Sequence, residues 1–210
     1  MSGGRHVMRK CKMRIGMCLP FVFFAAVVML GARASAQQQP LDLGDQPGYT
    51  PDPAEEELSP ELQRQYVFFR SNEPPGTIIV HTAERYLYVV QGNGRALRYG
   101  IGVGREGFQW QGLLKITRKQ EWPDWTPPPE MIDRQPYLPR WMAGGPANPL
   151  GARALYLGST AYRIHGTNQP QTIGSAVSSG CFRLVNPDVI DLYDRTPIGT
   201  KVIVKQQPTL

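Results

Sequence analysis

Apolar positions along this 210-residue chain fall into two regimes. Near the start they are unbroken: residues 15–30 carry no charge and follow a basic stretch of Arg5, Arg9, Lys10, Lys12 and Arg14. From Thr77 onward they come as short β-branched and aromatic runs at 77–81, 85–90 and 96–101, separated by turn signals such as Gly92-Asn93-Gly94. Runs of that kind predict a β-meander. A further strand is predicted at 113–118. Residues 154–157 and 160–165 predict a hairpin across Gly158-Ser159, whose alternation puts Tyr162 and Ile164 on one side and Arg163 and His165 on the other. Asn186-Pro187-Asp188 reads as a helix start, with a capping Asn, Pro at the first position and an acid in the first turn, and the helix should reach Arg195. Residues 201–205 close the pattern as a last strand. The sum is a mostly β domain over 77–205, a β-sandwich or distorted barrel with short helices, of a size usual for one folding unit. A tail follows at 206–210.

The unbroken apolar regime ends in Ala34-Ser35-Ala36, so residues 1–36 have the anatomy of a secretory signal peptide cleaved after Ala36. An uncleaved anchor is the competing reading, because the uncharged stretch 15–32 approaches the ~20 residues that span a bilayer; the Ala-x-Ala site favours cleavage. After cleavage no transmembrane segment is expected, and the destination is the periplasm. Residues 37–76 are rich in Pro, Gln and acid, eight Asp/Glu against two Arg. They read as a flexible tether, with one short helix from Ser59 through Phe69 started by Ser59-Pro60. Between Glu121 and Leu150 a Pro-rich loop bearing Trp, Tyr and Met suits an ordered, non-regular flap.

Charge and cysteine count narrow the chemistry. The net charge of +6 comes from the leader, since without its six Lys/Arg the chain has 17 basic and 17 acidic residues. No basic run or aromatic-interleaved basic stripe follows residue 36, so a nucleic-acid partner is rejected. Cys11 and Cys18 leave with the leader, and Cys18 lacks a lipoprotein-type context. Cys181 then remains as a lone thiol in a compartment that favours paired ones. It is either reactive or a small buried hydrophobe.

A cysteine nucleophile needs a base, because an unperturbed thiol is only about 3% ionised at neutral pH. His81, in the first strand of the meander, reads as an ordinary surface or edge-strand histidine. His165 ends a strand sixteen positions before Cys181, and the intervening loop is long enough to fold back. Gly180 leaves space for a substrate carbonyl and allows a tight turn that aims amides at an oxyanion. Ser178 and Ser179 offer hydrogen bonds, and Arg183 can hold an anionic group of a substrate. Two histidines and one cysteine without ligand spacing do not make a zinc site, so neither metal nor cofactor is expected.

The stretch from Tyr162 to Val204, with its His-Gly, Ser-Ser-Gly-Cys, Phe and Arg, resembles the catalytic signature of L,D-transpeptidases of the YkuD/ErfK type. The resemblance implies that Cys181 is the nucleophile and His165 its general base, with the Gly166 carbonyl orienting the imidazole and the Gly180 and Cys181 amides forming the oxyanion hole. Ser178, Phe182 and Arg183 match motif positions. Ser179 departs from the pattern, which has a second histidine there. The flap over the cleft would be the 121–150 loop. The resemblance further implies peptidoglycan stem peptides as partners: thiolate attack at the third residue, release of the terminal D-Ala, and a 3→3 cross-link. The acceptor is left open between a stem amine, water, a D-amino acid and the amine of an outer-membrane protein.

Overall fold

The computed structural model describes residues 46–207. The expected signal segment, the first part of the expected tether and the end of the tail lie outside the described residues. Among the described residues no helix is long and apolar enough to cross a membrane.

The domain is mostly β. Its strands are β1 (Gln65–Phe68), β2 (Ile78–His81), β3 (Tyr86–Gly92), β4 (Arg95–Gly100), β5 (Val103–Gly104), β6 (Gly112–Glu121), β7 (Arg153–Leu157), β8 (Arg163–His165), β9 (Ala176–Ser178), β10 (Phe182–Arg183) and β11 (Lys201–Lys205). Two helices, α1 (Pro129–Arg134) and α2 (Asn186–Arg195), join them. Nine strands form one sheet in the order β1-β4-β3-β2-β11-β6-β7-β8-β10, and β5 pairs with β9 in a small second sheet.

The expected meander is β2-β3-β4. Its tight turn uses Asn93 and Gly94 at φ 51° and 68°, the doubly positive φ that two-residue hairpin loops favour. The expected hairpin is β7-β8, with Leu155 opposite Ile164. Sequence order does not survive at the centre: β11 inserts between β2, to which it runs parallel, and β6, to which it runs antiparallel. Both ends of the large sheet contribute to one core. Leu87, Val89 and Leu97 share a cluster with Leu155, Leu157, Ile164, Phe182 and, from α2, Val189 and Leu192. An isolated bridge between Gly102 and Arg183 ties the exit of β4 to β10, so the sheet rolls towards closure.

The region expected to be a tether is, from Gln46 on, a strap laid on this domain. Residues 59–69 do not form the expected helix: β1 pairs antiparallel with β4, Tyr66 opposite Leu97. The physical reason is the outer face of the meander. Ile79, Tyr88, Val90 and Ala96 are buried there beneath Val67 and Phe69, and the Phe69 ring stacks on Tyr88 at 4.4 Å. Burying those side chains outweighs a local Ser-Pro helix-start signal, which is worth about 1 kcal/mol. The same cover corrects the reading of His81. It is 4% exposed, packed near Phe69 and Tyr88, with Nδ1 3.1 Å from the Glu84 carboxylate.

Earlier in the strap, Asp52 caps a short 3-10 turn over Pro53–Glu56. The Asn168 amide donates to the carbonyls of Gln46 and Tyr49 at 2.8 and 3.0 Å. Arg64 pairs with Asp191 at 2.9 Å and Asp188 at 3.7 Å. Leu62 lies over two glycines, where a Cβ at Gly100 would stand 2.5 Å from the Leu62 carbonyl and one at Gly174 2.8 Å from its side chain.

Candidate active site

His165 and Cys181 lie sixteen apart in sequence, yet His165 ends β8 and Cys181 leads into β10, the strand beside it. β10 pairs parallel with β8, Phe182 opposite Ile164 and Arg183 opposite His165. Parallel neighbours need a crossover of about this length. Here it contains a 3-10 turn at Pro170–Thr172 and β9. Phe182 and Ile164 point into the core, and Cys181 immediately precedes β10.

The turn before Cys181 leaves little freedom. Ser178, 1% exposed, donates from its hydroxyl to the Cys181 carbonyl at 2.6 Å and accepts from the Gly180 amide at 3.2 Å. The Gly180 carbonyl accepts from Trp110 Nε1 at 2.9 Å, and Trp110 stacks on Tyr162 at 4.5 Å. Gly180 has φ 104°, and a Cβ there would stand 2.7 Å from the Tyr162 ring. Only glycine meets both conditions. Cys181 is partly exposed, with Sγ 3.8 Å from the Ala161 carbonyl. The Gly180 amide, expected to serve an oxyanion, already faces the Ser178 hydroxyl in this arrangement.

His165 is 2% exposed at the end of β8. Its Nδ1 lies 2.6 Å from the Gly166 carbonyl, an acceptor, so Nδ1 carries the hydrogen and Nε2 keeps the lone pair. Burial lowers its pKa to about 3; the Arg183 charge acts in the same direction, and the Gly166 and Leu150 carbonyls oppose them. The imidazole is therefore neutral at any physiological pH. Gly166 is boxed in, since a Cβ there would come within 2.5 Å of Asn186 Oδ1 and 2.9 Å of the Ala152 amide.

That carboxamide belongs to a residue read from sequence as a helix cap. Asn186 makes no capping bond to α2; the cap position falls on Val185. Its Oδ1 accepts from the Ala152 amide at 2.9 Å, and its Nδ2 donates to Glu56 of the strap at 2.8 Å. It joins the strap to the residue before β7, against the space a Gly166 side chain would need. Asn before Pro satisfies a cap rule and a tertiary bridge equally well, and the sequence carries no mark that separates them.

The other expected residues divide. Arg183 is 1% exposed and its backbone bonds Gly102 in both directions at 2.9 Å, so its charge reaches His165 rather than the surface. Ser179 is partly exposed, and its hydroxyl lies 3.4 Å from Arg134 Nη2 of α1. The flap that carries α1 has its own small core of Trp125, Met131, Leu138 and Leu150. It is closed by paired backbone bonds between Trp125 and Met142, both 2.8 Å. Sequence reasoning misses Trp110 and Arg134: Trp110 lies in an irregular segment and Arg134 ends a six-residue helix, too short for a periodic pattern to mark it.

The mostly β domain thus sets a partly exposed cysteine, behind a positive-φ glycine, at the entry to the strand that pairs with the one ending in buried His165. The family model for the YkuD L,D-transpeptidase catalytic domain matches residues 75–204, and the chain belongs to that family. It is 40% identical over 140 residues to "Probable L,D-transpeptidase ErfK/SrfK" of Escherichia coli (strain K12), covering 62% of this chain and 44% of that protein. The chain thus spans less than half the length of that curated relative. Among solved structures, the fold resembles "Structure of the Ldtfm-avibactam carbamoyl enzyme", at 16% identity, 65% and 51% coverage and TM-score 0.51. A Brucella melitensis chain described as "a Probable carnitine operon oxidoreductase caia" is 47% identical, with 72% and 98% coverage and TM-score 0.47.

Proposed function

We propose that the protein is an exported peptidoglycan L,D-transpeptidase that works through a thioester on Cys181. The observation that carries this reading is the fixed tautomer of His165: Nδ1–H is committed to the Gly166 carbonyl, which leaves Nε2 as the acceptor on the strand next to the cysteine. Burial keeps that ring unprotonated, and because a pKa well below neutral makes it a weak base, proton transfer has to accompany sulfur attack rather than precede it.

The Cys181 proton passes to Nε2 as sulfur attacks the carbonyl of the third stem residue. The tetrahedral intermediate collapses, the C–N bond to the terminal D-Ala breaks, and the imidazolium returns the proton to the departing amine. The acceptor, the amine at the D-centre of a second stem, then attacks the thioester. Its proton goes to Nε2 and on to the released thiolate, leaving a 3→3 cross-link. Positive charge on Arg183 opposes full protonation of His165, so the imidazolium is short-lived and the proton is handed on.

The test is Cys181→Ala and wild type, each incubated with a carbapenem and, separately, with purified tetrapeptide muropeptides. Intact mass should show one adduct on wild type and none on Cys181→Ala, and product mass should show a dimer formed with loss of one D-Ala. An adduct that persists in Cys181→Ala sinks the nucleophile assignment. Hydrolysed tripeptide or a D-amino-acid exchange product in place of dimer reassigns the acceptor.

A further inference from the structure

The cysteine turn is approached by arginines from two directions. Arg183 sits behind it, buried. In front, the segment after β5 carries Arg105 and Phe108, and the flap carries Arg134. Both guanidinium groups lie over the Phe108 ring, 4.6 Å from its centroid for Arg105 and 5.0 Å for Arg134. The Phe108 backbone presses on the turn itself, its carbonyl standing 3.1 Å from where a Gly180 Cβ would be. Arg134 also reaches the Ser179 hydroxyl at 3.4 Å. An exposed guanidinium is therefore stacked on an aromatic support one residue from Gly180 and two from Cys181.

We infer that Arg134 forms a carboxylate-binding subsite at the mouth of the cysteine turn. Stacking fixes the plane of a guanidinium while leaving its edge N–H groups available, and a planar fork matches a carboxylate in bidentate fashion. Ser179 is small enough to admit the flap arginine and takes up only one donor. A histidine at that position, as in the family pattern, would set a second ring and donor against the same guanidinium. The identity of the anion rests on the acyl-transfer reading. A tetrapeptide stem offers two carboxylates close to the scissile bond, on the terminal D-Ala and on the diaminopimelate side chain, and either presents the same chemistry.

The first arm of the test needs no turnover. The full-length chain as wild type, Arg134→Gln and Arg134→Lys is alkylated at low ionic strength with iodoacetate and with its neutral analogue iodoacetamide, and modification of Cys181 is followed by peptide mass. The iodoacetate-to-iodoacetamide rate ratio should fall about 3–10-fold in Arg134→Gln, as expected for loss of one nearby, partly solvated charge. It should be largely retained in Arg134→Lys, and the contrast should shrink at ~0.5 M salt. An unchanged iodoacetamide rate shows that the turn is intact. A ratio unaffected by Arg134→Gln overturns the subsite.

The second arm uses tetrapeptide stems amidated at D-Ala or at diaminopimelate. Arg134→Gln should raise KM about 10-fold on the free acid with kcat nearly unchanged, the mark of lost uniform binding. It should have no effect on whichever amide has lost the bound carboxylate, which identifies the source. An equal KM rise on both amides overturns the subsite. If the labelling contrast is present but no stem turns over, the acyl-transfer reading fails and the subsite stands. Turnover without the contrast has the opposite meaning.

Discussion

The strap over residues 46–69 and the cysteine turn at 178–181 are both irregular or nearly so, and both are packed on the same sheet, yet different forces fix them. The turn is held from within: buried Ser178 bonds two of its neighbours, Trp110 clamps the Gly180 carbonyl, and the Gly180 backbone occupies a region closed to other residues. The strap is held from outside, by half-exposed residues and long-range contacts such as Asn168 to Gln46, Asn186 to Glu56 and Arg64 to Asp191. Each of those is worth only about 1 kcal/mol. A segment fixed by many weak contacts tolerates single changes and fails as a whole. A segment fixed by a few exclusive ones fails at single residues.

The sharpest break in that contrast lies at the site itself. His165→Gln should slow carbapenem acylation by about 10²–10⁴-fold, the usual loss with a general base, while circular dichroism stays native. Full acylation speed in that variant would remove His165 from the mechanism. Next, a chain beginning at Asn72 should lose about 3–5 kcal/mol of stability, because Val67 and Phe69 no longer cover the outer face of β2–β4 and Leu62 no longer lies over Gly100 and Gly174. Urea denaturation measures it. Unchanged stability would return the strap to the status of a tether.

Gly180→Ala should cost about 2–4 kcal/mol from positive φ and the Tyr162 contact combined, read as a drop in melting temperature together with lost acylation. A silent Gly180→Ala would show that the turn has slack. By contrast, single alanine changes at Glu56 or Arg64 should stay near 1 kcal/mol.

A last contrast is in pH. His165 has a folded pKa of about 3 against 6.5, so the unfolded chain takes up its proton first and stability falls as pH drops from 6.5 towards 3. Asp188, raised from 3.8 to about 6 chiefly by burial, has the opposite sign: the folded state holds the extra proton, and stability rises as pH falls from 6 to 4. In wild type the two oppose each other between pH 4 and 6. His165→Gln lacks the His165 term, so its melting temperature should fall less, or rise more, than that of wild type on acidification from pH 6.5 to 4. Parallel curves would exclude a buried neutral His165.

How much could be read in advance followed the length of the signal. The runs at 78–81, 86–92 and 201–205 are long enough to show β character, and each is a strand. β5, β9 and β10 have two or three residues each, too few for any period. No strand is predicted at β10, where the Ser-Ser-Gly-Cys signature marks only motif positions. Ser59-Pro60 is a local helix start that predicts helix through 65–68, while the partner that makes them a strand lies about thirty residues away.

The sequence by itself determined the β-rich class, the cysteine with its spaced histidine, and Gly180 and Gly166, because these depend on local conformation or on a motif whose spacing is itself the chemistry. Tertiary structure alone decided that β11 lies between β2 and β6, that the acidic strap closes the outer face, that the Asn186 side chain bridges Ala152 and Glu56 instead of capping its helix, and that Arg134 rather than Arg183 faces outward at the turn. Each of those depends on which distant side chains share one volume, and burying apolar area and pairing buried polar groups are non-local terms that no short window of residues contains.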